Sequence, residues 1–195
     1  MEEKTMSYKV PVGLSNKHLH LSQEDLEALF GKGYELTPYK ALKQPGQYAA
    51  EEKVDIVGPK GTIKGVRILG PVRKETQVEL AITDARAIGV TAPVKESGKL
   101  EGTPGIKLVG PAGEIEIDHG VIIALRHVHL SAEQAKEAGV QDKQMISVRF
   151  GGERGVVFDN VLVRAGDGHE AEIHLDTDEG NAAGLKNGDL GELIV

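Results

Sequence analysis

A ten-residue pattern occurs twice in this chain. Residues 16–25 read Asn-Lys-His-Leu-His-Leu-Ser-Gln-Glu-Asp, and residues 125–134 read Leu-Arg-His-Val-His-Leu-Ser-Ala-Glu-Gln. Each copy has a basic residue, then His-x-His, then Leu-Ser-x-Glu. An apolar run that reads as a strand precedes each copy, Val10 to Leu14 and Val121 to Leu125. Each is followed by a helix start. Ser22 with Asp25 resembles a capping box, and Ser131 with Gln134 matches one. The spacing predicts a helix from about Gln23 to Phe30 that stops at Gly31, and one from about Ala132 to Ala138 that stops at Gly139.

A second repeat accompanies the first. Val54-Asp-Ile-Val-Gly-Pro-Lys-Gly61 is echoed by Ile106-Lys-Leu-Val-Gly-Pro-Ala-Gly113. Each reads as a strand, a Gly-Pro-x-Gly turn and a returning strand, Ile63 to Leu69 and Glu114 to Asp118. Further strands are expected at Gln77–Ile82, Met145–Phe150, Gly155–Val163, Ala171–Leu175 and Leu190–Val195. The segment from Leu36 to Glu51, rich in Pro, Gly, Gln and Tyr, has no clear period and reads as a long loop. With 25 glycines and 4% aromatics, the chain favours short strands and tight turns around a core of Val, Ile, Leu and Ala. The fold class is therefore mainly β, a pair of small barrels or sandwiches with two or three short helices.

Composition narrows the chemistry. Net charge is −7 and no Lys/Arg stripe occurs, so nucleic acid is a poor partner. No apolar run approaches the roughly 20 residues that span a bilayer, so no membrane is expected. Met1 to Lys9 is polar and lacks an apolar signal core, which disfavours secretion. The absence of cysteine fits a reducing cytosol and removes both a thiolate nucleophile and a Cys-ligated metal site.

Four of the seven histidines lie in the His-x-His units: His18, His20, His127 and His129. Positions i and i+2 of a strand point to one side, so each pair can hold one metal ion between two imidazoles, and zinc accepts imidazole nitrogen readily. One such unit alone would read as two exposed histidines on a strand edge. Two in matching contexts favour metal, and further ligands are then required. On spacing alone Glu79 reads as a solvated strand residue, with Gln77 and Ala81 on its face and Val78, Leu80 and Ile82 on the other. His174, in an alternating strand entering an acidic turn, reads equally well as a ligand or as a strand residue. His119 and His169 read as turn histidines. Arg73 has the fork that binds two phosphate oxygens, but spacing also allows a plain surface arginine. Lys17 and Arg126 would point away from the histidine pairs and meet acids elsewhere.

These motifs together resemble those of the PduL-type phosphate propanoyltransferases, or phosphotransacylases. The matching stretches are Val10 to Ser22, Gln44-Pro-Gly-Gln-Tyr-Ala-Ala-Glu-Glu52, Arg67-Ile-Leu-Gly-Pro-Val-Arg73, Thr76-Gln-Val-Glu79, Arg126-His-Val-His-Leu130 and His174-Leu-Asp-Thr-Asp-Glu179. The resemblance covers the chain from about Val10 to Val195. It implies two β-barrels capped by short helices, a central one at 17–124 and a C-terminal one at 125–195, with strand 7–16 crossing to the C-terminal barrel. It implies an active site between them with two zinc ions. His18 and His20 would bind one ion, His127, His129 and His174 the other, and Glu79 would reach both. Arg73 would meet the phosphate, and Arg73 and Glu79 would serve catalysis.

The implied reaction converts acyl-CoA (propanoyl-CoA or acetyl-CoA) and phosphate into acyl phosphate and coenzyme A, in a homodimer or larger assembly. Family members packaged in microcompartments often carry an N-terminal amphipathic extension. The nine polar residues before the first strand have no apolar stripe, so a free cytoplasmic enzyme in propanediol breakdown is expected rather than a partner of a microcompartment shell. Read from the residues alone, His-x-His also serves binuclear metallohydrolases, although this chain is short for a (β/α)₈ barrel. A non-catalytic zinc-binding scaffold is the other reading.

Overall fold

The computed structural model describes residues 8–195; the polar run at Met1 to Lys9 therefore lies mostly outside the described residues. In chain order the first elements are β1 (Lys9–Ser15), β2 (His18–His20), α1 (Gln23–Phe30), β3 (Pro38–Ala41), β4 (Tyr48–Val57) and β5 (Thr62–Gly70). Then come β6 (Gln77–Glu79), α2 (Ile82–Ile88), β7 (Val94–Lys95), β8 (Ile106–Val109), β9 (Glu114–Ile117) and β10 (Val121–Ala124). The last are β11 (His127–Leu130), α3 (Ala132–Ala138), β12 (Met145–Phe150), β13 (Val156–Ala165), β14 (Glu172–Asp176), α4 (Thr177–Ala183) and β15 (Leu190–Ile194).

The chain forms two compact units. One joins the described residues up to Ser15 with Arg126–Val195, and the other is Asn16–Leu125. In the first, six strands close a barrel in the order β1-β14-β11-β13-β12-β15. The N-terminal strand does cross to this barrel: β1 runs parallel to β14 and antiparallel to β15. In the second, nine strands form a curled half-barrel sheet, β7-β10-β6-β2-β5-β4-β8-β9, with β3 on the side of β4.

Each unit has its own aliphatic core, as the scarcity of aromatics requires. The barrel is filled by Val10, Val12, Val128, Leu130, Ile146, Val148, Val163, Ile173 and Leu175 around Phe150. The sheet unit is filled by Leu19, Leu21, Leu26, Leu29, Ile56, Ile68, Val78, Ile88 and Leu108. Burying each such side chain contributes about 1.5–3 kcal/mol. The middle residue of each His-x-His unit, Leu19 and Val128, is fully buried in its core. Strand alternation then sends the flanking histidines to the opposite side.

The two repeated helices have the predicted bounds, and their caps explain why. Ser131 and Gln134 form the full reciprocal box at α3. At α1 only half of the box is local. Ser22 Oγ accepts the Asp25 N–H at 3.1 Å, while the Ser22 N–H donates to Thr76 Oγ1 at 2.9 Å. Thr76 in turn donates to the Asp25 carboxylate, so a loop residue completes the cap.

Three expectations are corrected. The strand predicted over Gln77–Ile82 ends at Glu79, and Ile82, 43% exposed, opens helix α2 rather than sharing the buried face of Val78 and Leu80. The acidic turn after His174 is helix α4, with a capping box between Asp176 and Glu179. The long loop from Leu36 to Glu51 contains β3 and the start of β4, which pair antiparallel.

Both Gly-Pro-x-Gly turns seat on the end of a helix. The Lys60 N–H donates to the Ile88 carbonyl at 3.0 Å, and the Ala112 N–H donates to the Leu29 carbonyl at 2.9 Å. A Cβ at Gly110 would lie 2.5 Å from the Leu29 oxygen and 2.8 Å from its Cβ. Gly110→Ala is therefore expected to destabilise the protein by about 1–3 kcal/mol through overpacking. A urea titration should show a lower midpoint with an unchanged slope.

Candidate metal centres

In the sheet unit β2 runs antiparallel to β6, with His18 opposite Glu79 and His20 opposite Gln77. In the barrel β11 runs antiparallel to β14, with His127 opposite His174 and His129 opposite Glu172. The two arrangements are the same device built twice. Each places a His-x-His strand beside a strand whose third residue faces the first histidine. In each, the partner strand leads into a helix that ends at a glycine, Gly89 or Gly184, in the left-handed conformation. The basic residue before each His-x-His unit pairs with an acid in the first turn of that helix. Lys17 meets Asp84 at 3.0 Å, and Arg126 meets Glu179 at 2.7 Å.

This pairing brings together two groups that could hold a metal ion, His18, His20 and Glu79, and His127, His129 and His174. The candidate donor atoms of each group lie within 4.8 Å of one another. Glu79 is thus lifted out of the solvated role that spacing suggests, because β6 pairs with β2 and not with a bulk surface. His18 Nε2 lies 3.4 Å and His20 Nε2 3.9 Å from the Glu79 carboxylate oxygens. Tetrahedral zinc, with bonds of about 2.0–2.1 Å, sets neighbouring donor atoms roughly 3.3 Å apart. In the second group the three rings form a near-equilateral triangle, with centroids 4.8–4.9 Å apart.

The far side of each imidazole decides which nitrogen is available. His18 Nδ1 donates to the Asn16 carbonyl at 2.8 Å, and His20 Nδ1 donates to the Leu69 carbonyl at 3.1 Å. Carbonyl oxygen only accepts, so both rings carry a proton on Nδ1 and turn Nε2, the nitrogen that could bind a metal, toward Glu79. His174 Nε2 donates to the Glu172 carboxylate at 2.7 Å, which leaves Nδ1 as its lone-pair nitrogen. Gly13 accommodates that carboxylate: a Cβ there would lie 2.8 Å from Glu172 Cδ.

Arg73 is fastened by its backbone, whose N–H donates to the Leu21 carbonyl at 2.8 Å. Its guanidinium donates to Ser97 Oγ at 3.1 Å. Gln77, buried behind Glu79, donates to Glu79 Oε1 at 2.5 Å and to Ser97 Oγ at 2.8 Å, and its own oxygen accepts the Gly98 N–H. Arg73, Ser97, Gln77 and Glu79 thus form one network. Sequence reasoning missed Gln77, Ser97 and Glu172. The signal for Gln77 and Glu172 was their shared position two residues before Glu79 and His174. Ser97 carries no such signal. His169 is also corrected, since its ring meets His129 rather than sitting apart in a turn. His119 remains a half-buried turn residue, paired with Asp118 and Glu75.

Burial holds two of these groups, His20 and His129, in the neutral state that suits a metal. It pushes His20 down to about 3, assisted by the charges of His18 and Arg73. It pushes His129 down to about 2, assisted by His127 and His174. For His18, burial presses downward, but the charge and hydrogen bond of Glu79 more than reverse it, and its pKa is raised. In the metal-free protein His20 and His129 therefore stay neutral where an unfolded chain, with histidines near 6.5, takes up protons. Their contribution to stability is full above about pH 6.5 and is lost as pH falls toward 3. His18 has the opposite sign and offsets part of this loss. The urea midpoint of chelator-treated protein is expected to fall between pH 7 and pH 4.5. The fall should shrink in His129→Gln.

Among the described residues no helix is long and apolar enough to cross a membrane. Residues 11–186 match the family model described as phosphate propanoyltransferase. The chain is 58% identical over 180 residues to a phosphate propanoyltransferase of Thermotoga maritima, covering 92% of this chain and 86% of that protein. It is 51% identical over 179 residues to one of Salmonella typhimurium, covering 91% and 85%. It is 48% identical over 183 residues to one of Rhodopseudomonas palustris, covering 94% and 81%.

Proposed function

Since the chain belongs to the phosphate propanoyltransferase family, we propose that it moves a short acyl group between coenzyme A and phosphate with the help of two zinc ions. It is an acyltransferase by that membership, and acyl-CoA and phosphate are the substrates that the family name fits. The single observation that carries the zinc reading is the pair of equivalent donor sets, His18-His20-Glu79 and His127-His129-His174. The first offers two nitrogens and a carboxylate, the second three nitrogens. Three protein ligands leave a coordination position open, as catalytic zinc requires and structural zinc does not. That favours an enzyme over a scaffold.

In this reading a phosphate oxygen attacks the thioester carbonyl carbon. A C–O bond forms, the C–S bond breaks, and coenzyme A departs as a thiolate that then takes up a proton. Zinc held by the two donor sets would supply positive charge able to polarise the carbonyl, to hold the phosphate or to stabilise the departing thiolate. The chain's own residues do the rest. Arg73 offers its fork to two phosphate oxygens and offsets the repulsion between anionic partners. Ser97 and Gln77 keep that fork and the Glu79 carboxylate in fixed relation. Without cysteine, no acyl-thiol enzyme can form. We favour direct attack in a ternary complex, with orientation supplying much of the rate, over an acyl-enzyme on Ser or Glu. A covalent acyl-protein trapped with labelled acyl-CoA in the absence of phosphate would contradict it.

Propanoyl and acetyl groups differ by one methylene, worth about 1–3 kcal/mol in a pocket, so both are expected to serve as substrates. A homodimer in the cytoplasm completes the reading. Arg73→Ala is expected to raise the phosphate KM by at least about tenfold, the loss of one charge-assisted pair, while the acyl-CoA KM stays within about twofold. Initial rates with each substrate varied in turn measure this, and an unchanged phosphate KM would remove Arg73 from that role. Acyl phosphate formed only when phosphate is present separates the transferase from a metallohydrolase, which would release free acid with water alone.

A further inference from the structure

We propose that His169 is the positioning residue of His129: it accepts the Nδ1 proton of His129 and so reserves the Nε2 lone pair of His129 for a metal ion. The inference rests on the metal reading given above and adds a residue to it. The two Nδ1 atoms are 2.8 Å apart. At that distance the rings share one proton. Two N–H groups would collide, and two bare lone pairs would repel. If His169 held the proton, His129 would carry its own on Nε2, and that nitrogen could bind nothing.

The contrast with the other imidazoles gives the position its meaning. His18 and His20 are oriented by the carbonyls of Asn16 and Leu69, and His174 by the carboxylate of Glu172. Each of those partners can only accept. His129 has instead a ring that is able to accept or to donate. Its tautomer is therefore a property of one loop side chain and not of the backbone. The loop is anchored where it leaves β13. The Gly166 N–H donates to the carbonyl of Leu130, at the end of the strand that carries His129, at 3.2 Å. The Ala165 N–H donates to Asp142 at 2.9 Å. The rings of His129 and His169 then lie 4.8 Å apart between centroids, tilted by 35°.

Partners that orient a metal-bound imidazole typically change metal affinity by about 10–100-fold when removed. Zinc affinity at the barrel centre, measured by competition with a chromogenic chelator, is expected to fall by about that factor in His169→Ala. His169→Asn, whose Oδ1 takes the place of Nδ1 as an acceptor, should restore most of it. Zinc affinity at the His18-His20-Glu79 centre should not change in either variant, which separates the effect from a general folding defect. A second readout needs no metal. Nitrogen-15 NMR of the imidazoles should find His129 protonated at Nδ1 in the parent chain and in His169→Asn, and a mixture of tautomers in His169→Ala. A parent chain that takes up zinc, with His169→Ala binding it equally well and keeping the same His129 tautomer, would overturn the role of His169 alone. A parent chain that takes up no zinc would overturn the metal reading and this inference with it.

Discussion

His174→Ala is expected to empty one metal centre and to lower phosphate-dependent release of coenzyme A by about a thousandfold. His174 faces His127 across the β11–β14 pair, and its ring closes the triangle with His127 and His129. Two imidazoles would remain, too few to hold zinc against a chelator. A Lewis acid at a reacting carbonyl is worth several kcal/mol, and about 4 kcal/mol corresponds to a thousandfold in rate. The fold should survive, because the strand is held by Ile173 and Leu175, which are buried in the barrel core. The variant should therefore show one zinc fewer per chain, a native circular dichroism spectrum and a kcat that has collapsed. His127→Ala should behave in the same way. A variant with full metal and full rate would remove the barrel triad from the chemistry.

Glu79→Gln should be nearly as severe, for a different reason. Glu79 is the one anionic donor of its triad and faces His18 and His20 at 3.4 and 3.9 Å. It is also where the Gln77 and Ser97 contacts end. The substitution keeps the shape and removes the charge. It also leaves a single oxygen to accept where the carboxylate had two. Turnover is expected to fall on the order of 10²–10³-fold, comparable to the loss of one preorganised electrostatic contact. His18 offers a second readout that a purely structural role would not move. The Glu79 charge raises its pKa against burial, so in metal-free Glu79→Gln the His18 titration should shift downward.

What the sequence disclosed follows from which interactions are local. Helices α1 and α3 were legible because Ser22 and Ser131 announce their starts and Gly31 and Gly139 their ends. Helix α2 has Ala81 as its N-cap and so no side-chain cap, and α4 contains Gly180 and Asn181, poor helix formers that read as a turn. Strand β3 is exposed throughout and owes its conformation to its pairing with β4, a partner that no local pattern reveals. The same division holds at the candidate site. The two His-x-His units declare themselves by a period of two. Glu79 does not, since its meaning comes from standing opposite His18 in the sheet. His169 is further still from the sequence, because it reaches His129 from a loop across 40 positions of chain.

The central claim is that five imidazoles and one carboxylate, in two sets, carry zinc and that this zinc serves acyl transfer to phosphate. Metal analysis run in parallel with the rate of coenzyme A release tests it most directly. Two zinc ions per chain are expected, with activity that falls as a chelator removes them and returns when zinc is restored. A verified metal-free chain that converts acyl-CoA and phosphate at the full rate would contradict it.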